Sequence, residues 1–362
     1  MFKKPLFFIP VFCLLALSVF AQKIEKPTLT PVEATASQRQ LIEEGVKLHD
    51  AGKIDEAILK YEQVLKENPD CDLALYELAM SAFNKKDYTK ALEAGYKLVK
   101  YKSNTGMAGF GVIGNILDDQ GKTQEAIDIY KSAIKNLENE KGEEPYVSEL
   151  YYNLAITHAR QNQLKESREA LKKAVVYNFK YPSPHFLLSK VFLAGKYKIP
   201  ALLAASRSIP LELNSARTAQ SVTLIKGLIK TPEKNEKGAY TINLDFLTPT
   251  DEGDFGAMEL ILGTIMVIED GKDKDLTEGE RFANGIDSII AILEEQKKLK
   301  STFVGKTYIP FMTEMKAKGH SRTFAYLVLQ QGGSAEAKNW LVNNGQKLSD
   351  FLNWAKAYYP PR

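Results

Sequence analysis

The stretch from Leu41 to Pro69 reads LIEEGVKLHDAGKIDEAILKYEQVLKENP and contains a unit that repeats along the chain. It places a small residue, Gly45, twelve positions before a second one, Ala57. Pairs of small residues with the same separation recur further on, at Ala79/Ala91, Gly114/Ala126, Ala155/Ser167 and Ser189/Ala201. Successive first members are 34, 35, 41 and 34 residues apart. A period near 34 with two small residues per unit predicts an array of helix–turn–helix repeats.

The small residues and the larger apolar residues of each unit have different roles. Small side chains let the first helix (A) and the second helix (B) of a repeat approach closely. Larger apolar side chains fill the space beside the contact, in the first repeat Leu41, Leu48, Tyr61 and Val64. One such hairpin cannot bury its apolar face alone, so neighbouring repeats are expected to stack and share a continuous core.

In these residues the chain resembles the tetratricopeptide (TPR) repeat family. The matching residues are Leu41, Gly45, Gly52, Ala57, Tyr61 and Pro69 in repeat one, and Gly114, Gly121, Ala126, Tyr130 and Ala133 in repeat three. The resemblance covers roughly residues 38 to 212. It implies a superhelix of about five repeats, which a helix starting near Ser215 is expected to cap. Taken whole, the chain also loosely resembles secreted TPR proteins of the Bacteroidota.

The expected fold class is all-α, with a smaller helical domain after the repeats. In the linker, Tyr240 to Phe246 alternate apolar and polar residues, which indicates an extended segment. Apolar stripes with helical spacing resume after Phe255. The predicted organisation is a signal peptide (1–21), a flexible leader (22–37), the TPR array with its capping helix (38–230), a linker (231–254) and a helical C-terminal domain (255–362).

The first 21 residues have the pattern of an export signal. Lys3 and Lys4 precede an apolar run from about Leu6 to Phe20, and Ala21 supplies a small residue before a cleavage point at Gln22. The run is short for a membrane span. The sequence therefore predicts a periplasmic or extracellular protein with no integral membrane span after signal cleavage. An uncleaved anchor is the alternative.

Net charge and cysteine content argue against nucleic-acid binding, lipidation and an intramolecular disulfide. The formal net charge is +3. Removal of the predicted signal peptide, which contains Lys3 and Lys4 and no acidic residue, lowers the charge to +1. A net charge this small gives no support to nucleic-acid binding. Cys13 follows Phe12 rather than the small residues that usually precede a lipidated cysteine. Cys71 then remains as a single cysteine, so no intramolecular disulfide is expected, and a partly buried turn residue is favoured over a redox site.

Motifs that suggest catalysis or cofactor binding fall in the wrong contexts. Gly109–Gly114 spells GxGxxG, yet it lies inside a predicted helix rather than after a strand. Gly305-Lys306-Thr307 matches the end of a P-loop. The first glycine of that motif would fall at position 300, which is a lysine. Asp270–Glu280 is acidic and lacks the turn glycine and final glutamate of a calcium loop. The prediction is a protein without enzymatic activity, cofactor or metal; an enzyme with a dispersed site is a lesser alternative.

The TPR resemblance also implies a binding face on the A helices, which line the concave surface in that family. Carried over by repeat position, the expected groove residues are Tyr76, Met80, Phe83, Asn84, Asn115, Asp118, Tyr152, Asn153, Ile156, Arg160 and Phe186. Their aromatic and apolar character suits an extended peptide or a partner helix. Some of these aromatic residues could instead belong to the core.

A different TPR binding mode, the clamp for a C-terminal carboxylate, is not expected. Asn115 and Asn153 occupy its two asparagine positions, but Gly111, Ser183 and Leu187 replace its three cations. The sequence thus predicts a scaffold that binds a peptide or protein partner in its concave groove. A carrier of a small molecule or glycan, using the C-terminal domain or the domain junction, is the alternative.

Overall fold

The computed structural model describes residues 25–229, 235–236, 238–240, 251–272 and 276–361. The predicted signal peptide and residues 241–246 of the predicted extended segment lie outside these ranges. Five helix pairs and one further helix make up the repeat half: α1 Ala36–Asp50, α2 Ile54–Glu67, α3 Asp72–Asn84, α4 Tyr88–Leu98, α5 Asn104–Asp119, α6 Thr123–Leu137, α7 Glu144–Arg160, α8 Leu164–Tyr177, α9 Pro182–Ala194, α10 Lys198–Leu211 and α11 Ala216–Leu228.

The C-terminal half is also helical in its described part. Its helices are α12 Gly256–Lys272, α13 Glu278–Glu294, a 3-10 turn at Lys297–Ser301, α14 Phe303–Thr307, α15 Ile309–Ala317, α16 Ser321–Gln331, α17 Ala335–Asn343 and α18 Gly345–Ala357. Helix α13 packs against α12, α15 and α16, and α11 bridges the halves because it contacts both α10 and α16. Ser215 caps α11 by accepting a hydrogen bond from the Thr218 amide, as its position before the helix predicts.

The small residues mark the sites where the A and B helices of each repeat touch. All ten of them are buried. In repeat one, a Cβ placed on Gly45 would lie 2.5 Å from Cε1 of Tyr61, and in repeat three a Cβ on Gly114 would lie 2.7 Å from the Tyr130 hydroxyl oxygen. Both tyrosine rings are fully buried. A tyrosine from helix B therefore fills the space that the missing side chain of helix A leaves.

Each repeat turns between its helices through one residue in the left-handed backbone region. That residue follows the small residue of helix A by seven positions: Gly52, Lys86, Gly121, Asn162 and Lys196, with φ between 57° and 77°. The next amide donates to a carbonyl in the last turn of helix A, as from Lys53 to Leu48 and from Lys122 to Leu117. This hydrogen bond closes the helix C-terminus. Glycine meets the requirement without strain, whereas the two lysines meet it at some cost.

The described part of the leader lies against the first repeats. The Leu29 amide donates to the Lys100 carbonyl at 2.9 Å, and the Lys102 amide donates to the Leu29 carbonyl at 2.7 Å. Further along, the Asn68 side-chain amide donates to the Val32 carbonyl at 3.1 Å. The expectation of a flexible leader was drawn from its polar, proline-containing composition. The composition of the leader carries no signal for these contacts, because the leader makes them through main-chain groups, which every sequence has.

The hydrophobic core is continuous from the repeats into the C-terminal half. Helix α5 lies at a boundary between two clusters: Val112 and Ile116 join repeats one and two, whereas Ile113 and Leu117 face the later repeats. The second cluster continues through α10 to the C-terminal helices and ends at Tyr358. The two halves of the chain thus share buried apolar surface.

A buried polar cluster lies where α10 meets the C-terminal helices. Arg207 of α10 donates to the Ala355 carbonyl at 2.5 Å and to the Phe179 carbonyl at 3.3 Å, and its guanidinium packs on the rings of Phe179 and Phe311. Burial lowers the pKa of Arg207 to about 9, so the group still carries its charge at neutral pH. Carbonyl dipoles and aromatic faces hold this cation, and no carboxylate within the described ranges forms an ion pair with it.

His185 completes the cluster and its tautomer follows from its neighbours. The Nε2 atom lies 3.0 Å from the Phe179 carbonyl, which can only accept, so Nε2 carries the proton. The Nδ1 atom then accepts from the Tyr308 hydroxyl at 2.9 Å. Burial, with a smaller effect of the Arg207 charge, lowers the pKa of His185 to about 3. The imidazole is therefore neutral and structural at physiological pH.

An ion-pair cluster attaches the start of the C-terminal half to repeat four. Arg168 of α8 is buried, and its guanidinium lies 2.9 Å from Glu252 and 2.5 Å from Asp251. Glu252 is also buried and pairs with Lys172. The Arg168 guanidinium lies 4.6 Å from the centre of the Tyr197 ring. The last residues of the linker are thereby fixed to α8, the B helix of repeat four.

The tyrosine contact at Gly114 makes a specific stability prediction. Gly114→Ala places a methyl group against the buried Tyr130 ring, and overpacking is expected to cost about 1–3 kcal/mol of the free energy of unfolding. Gly227→Ala is the matched control, since Gly227 lies in α11 with no atom within 4 Å of an added Cβ. It should stabilise the protein by up to about 1 kcal/mol. Urea denaturation measures both; a gain in stability for Gly114→Ala would contradict the contact.

The neutral His185 predicts a pH dependence of stability. The folded-state pKa lies below the unfolded value of about 6.5, so this stabilisation is complete above pH 6.5 and is lost as pH falls toward 3. The loss amounts to about 1.4 kcal/mol per pH unit. His185→Gln, which can keep both hydrogen bonds, should lose less stability than the parent protein between pH 6.5 and 4.5 in urea titrations. Parallel pH profiles would show that the histidine is not buried in its neutral form.

Candidate functional site

The A helices of repeats two to five, α3, α5, α7 and α9, contact one another in succession. The surface that they form is called the A-helix groove. It has an aromatic character: Tyr76 and Phe83 extend from α3, and Tyr152 extends from α7. All three side chains are half-buried. Part of each of these side chains therefore remains accessible to solvent in the folded chain.

The eleven residues expected to line the groove all lie on these four A helices, and the structure buries none of them fully. Asn84, Asn115 and Arg160 are exposed, and the others are half-buried. Phe83, which could have belonged to the core, packs with its ring centre 6.4 Å from that of Tyr88 on the next helix. The Phe83 side chain stays partly exposed to solvent, as do those of Tyr76 and Tyr152.

Several of the expected groove residues meet one another. Arg160 and Asp118 form an ion pair at 2.6 Å, in which the Asp118 side chain is buried. Asn115 accepts a hydrogen bond from the buried Tyr130 hydroxyl at 2.9 Å, so one of its polar atoms serves the repeat itself. Asn153 lies beside Gly111, where an added Cβ would be 3.2 Å from its side-chain nitrogen. These contacts fix the floor of the groove between α5 and α7.

Other expected residues lie apart from this centre. Asn84 is at the first-repeat end, where its side-chain nitrogen lies 2.7 Å from Nε2 of His49. Phe186 is toward the other end, and its nearest cation is Lys190, 5.5 Å from the ring centre on the same helix. The eleven residues thus extend along the array rather than converge on one point.

Sequence reasoning missed three groups that shape the groove. Tyr181, in the turn before α9, packs edge-on against Tyr152 with ring centres 5.5 Å apart. Glu149 lies on α7 one helical turn before Asn153, and Glu77 lies beside Tyr76 on α3. Helical spacing could have found Glu149, because residues four apart share a face. Tyr181 gave no such signal, since it precedes its helix.

The groove is electrostatically uneven. Desolvation raises the pKa of Glu149 and also that of Glu77. Burial raises the pKa of Tyr181 to about 12, and the Glu149 charge adds to the effect. Arg217, near Tyr152 and Tyr181, is engaged by Glu212 through two hydrogen bonds of 2.8 and 3.0 Å. Among the described residues, the Glu77 and Glu149 carboxylates thus form no ion pair, whereas the Arg217 cation is paired with Glu212.

The part of the chain that the structure describes was also compared with the requirements of a metal site, a membrane-spanning helix and a ligand cavity. They contain no group of three or more His, Cys, Asp or Glu side chains arranged to hold a metal ion. No helix among those described is long and apolar enough to cross a membrane. A cavity of about 640 Å³ lies in the C-terminal half, lined by apolar residues such as Ile309 and Pro310 and by the charged Glu294, Lys300 and Lys306.

Comparison with known proteins identifies the repeats. Two family models, both described as tetratricopeptide repeat, match residues 44–105 and 110–175. The chain thus contains TPR repeats, and its fold is an all-α TPR fold. A curated relative, the general transcriptional corepressor trfA of Dictyostelium discoideum, is 27% identical over 130 residues. That match spans 36% of this chain and only 9% of the corepressor.

Solved TPR structures are similar to about half of this chain. A thermophilic TPR protein of Thermus thermophilus is 20% identical with a TM-score of 0.42, covering 52% of this chain and 98% of its own. Pseudomonas aeruginosa pilF is 18% identical with a TM-score of 0.42, covering 53% and 84%. YrrB, described as a TPR protein with an unusual peptide-binding site, is 14% identical with a TM-score of 0.34, covering 51% and 90%. Likenesses this distant carry no information about function.

Proposed function

We propose that this chain is a non-enzymatic scaffold that binds an extended peptide segment of a partner protein in the A-helix groove. TPR repeats generally act as protein-interaction scaffolds, and the fold is typically non-enzymatic. The observation that carries the proposal is the partial exposure of Tyr76, Phe83 and Tyr152 on α3 and α7, the two A helices that flank α5. Aromatic surface left in contact with water forgoes about 25 cal/mol for each Å² that could be buried. A partner that covers these rings recovers that free energy.

An extended peptide fits this surface better than a compact ligand does. The aromatic side chains lie on three of the four A helices, α3, α7 and α9, so they form a spaced row rather than an enclosed pocket. Peptide recognition commonly uses such a row of side-chain contacts along a groove. The alternative of a small-molecule or glycan carrier gains no support from the comparisons, whose family models match residues 44–105 and 110–175.

The groove is tested by selecting peptides from a display library of random twelve-residue sequences on the immobilised chain. Phe83→Ala and Tyr152→Ala should weaken capture of the selected peptides by at least about 2 kcal/mol, as for binding hot spots. The thermal midpoint of each variant should fall little, because both rings are half-open. Phe110→Ala sets the scale for a fully buried ring, at about 3–5 kcal/mol of stability.

Leu59→Ala is the matched surface control, since Leu59 is an exposed apolar residue on helix α2, a B helix. It should leave peptide capture unchanged. Equal capture by the parent protein and both groove variants would contradict the proposal. Stability losses as large as that of Phe110→Ala would assign Phe83 and Tyr152 to the core instead.

We further propose that the scaffold is exported and works in the periplasm or outside the cell. The support is the sequence pattern of residues 1–21. Protein recovered from the envelope fraction or medium of expressing cells should begin at Gln22 by N-terminal sequencing. Ala21→Phe, which puts a bulky residue at the cleavage point, should retain the signal peptide, residues 1–21. Recovery of exported protein with an intact Met1 would contradict cleavage.

A further inference from the structure

Glu149 is an uncompensated carboxylate at the centre of the A-helix groove. It is exposed, and it lies one turn before Tyr152 and Asn153 on the same face of α7. Throughout the described ranges no side chain forms a hydrogen bond or an ion pair with it. The other groove charges differ: Asp118 is paired with Arg160, and Arg217 is paired with Glu212. A ligand that brings a cation to Glu149 meets no competing partner there.

Aromatic rings surround the same space. The Tyr152 and Tyr181 rings pack edge-on, 5.5 Å apart, on the side of α7 and α9. Tyr76 lies on the opposite side, on α3, and the Glu149 charge contributes to the raised pKa of both Tyr76 and Tyr181. That shared influence places the carboxylate within electrostatic reach of both phenols.

The helix between the two sides contributes a glycine and an asparagine at this level. Helix α5 separates α3 from α7, and its residue beside Asn153 is Gly111, which has no side chain. The next groove position on α5, Asn115, already accepts a hydrogen bond from Tyr130. Glu149 therefore lies on an exposed surface between partly exposed tyrosines, and helix α5 presents no cation there to pair with it.

We propose that the surface around Glu149 receives a lysine or arginine side chain from a basic, extended peptide segment of the partner. The inference rests on the proposed function and names the chemistry of its partner. A lysine or arginine stem packs on aromatic surface while its charged end reaches a carboxylate. An acidic segment would bring like charge to Glu149 and to Glu77 on α3, which is unfavourable. Lys190 lies further along, on α9, and leaves this centre acidic.

The test uses the same library of random twelve-residue peptides. Peptides selected by the parent chain, and lost with Tyr152→Ala, should be enriched in lysine or arginine at one aligned position. Selection on Glu149→Gln should lose that enrichment. For a synthetic peptide from the selected set, Glu149→Gln should weaken binding roughly tenfold or more, as expected for a charge-assisted contact. Replacing the aligned lysine of the peptide by glutamine should make the two proteins bind equally.

The control is Glu166→Gln, which removes the same charge from an exposed position on α8 of the same repeat. It should bind the basic peptide as the parent does. Glu149→Gln should keep the parent thermal midpoint, because it removes an unpaired charge and keeps the shape. Groove-dependent peptides without basic enrichment, or basic peptides indifferent to Glu149→Gln, would overturn this inference and leave the scaffold function standing. Failure to select any groove-dependent peptide would overturn both.

Discussion

Close approach of the two helices in each repeat is the constraint on which the rest of the structure depends. Gly45 and Gly114 have no side chain at the point where the buried rings of Tyr61 and Tyr130 press against helix A. A methyl group there would force the ring to move, and a fully buried ring has nowhere to go. The distance between paired helices, and hence the way in which successive repeats stack, is set by this contact.

The same constraint explains the turn that follows it. With both helices held close, the chain has few residues in which to reverse direction, and one of them takes the left-handed conformation in every repeat. Gly52 and Gly121 do so freely, whereas Lys86 and Lys196 do so with a side chain. Packing of the flanking helices stabilises those turns enough to offset the local cost. Tertiary contacts thus override a local preference that favours glycine.

The junction between the halves relies on polar groups that apolar packing encloses. Arg207 and His185 sit among aromatic rings. Arg207 donates to the Ala355 carbonyl and His185 accepts from the Tyr308 hydroxyl, and these two hydrogen bonds join repeat five to the C-terminal helices. Buried polar groups are costly when unpaired, so such a network is specific to one arrangement of the parts. The groove shows the reverse condition, since Glu149 is partly desolvated without a partner in the described ranges. The buried cluster helps to fix the fold, whereas Glu149 contributes no such contact.

Sequence alone determined the repeat register, because small residues twelve apart and a period near 34 follow directly from helix contact and helix length. It also determined that the groove residues lie on A helices, since Tyr76, Phe83 and Tyr152 have fixed places in each repeat. The tertiary structure decided what surrounds them. Tyr181 reaches Tyr152 from outside any helix, Glu149 meets no partner among the described residues, and the leader follows the repeats through main-chain hydrogen bonds. Such features depend on which distant groups come together, and neither periodicity nor composition encodes that.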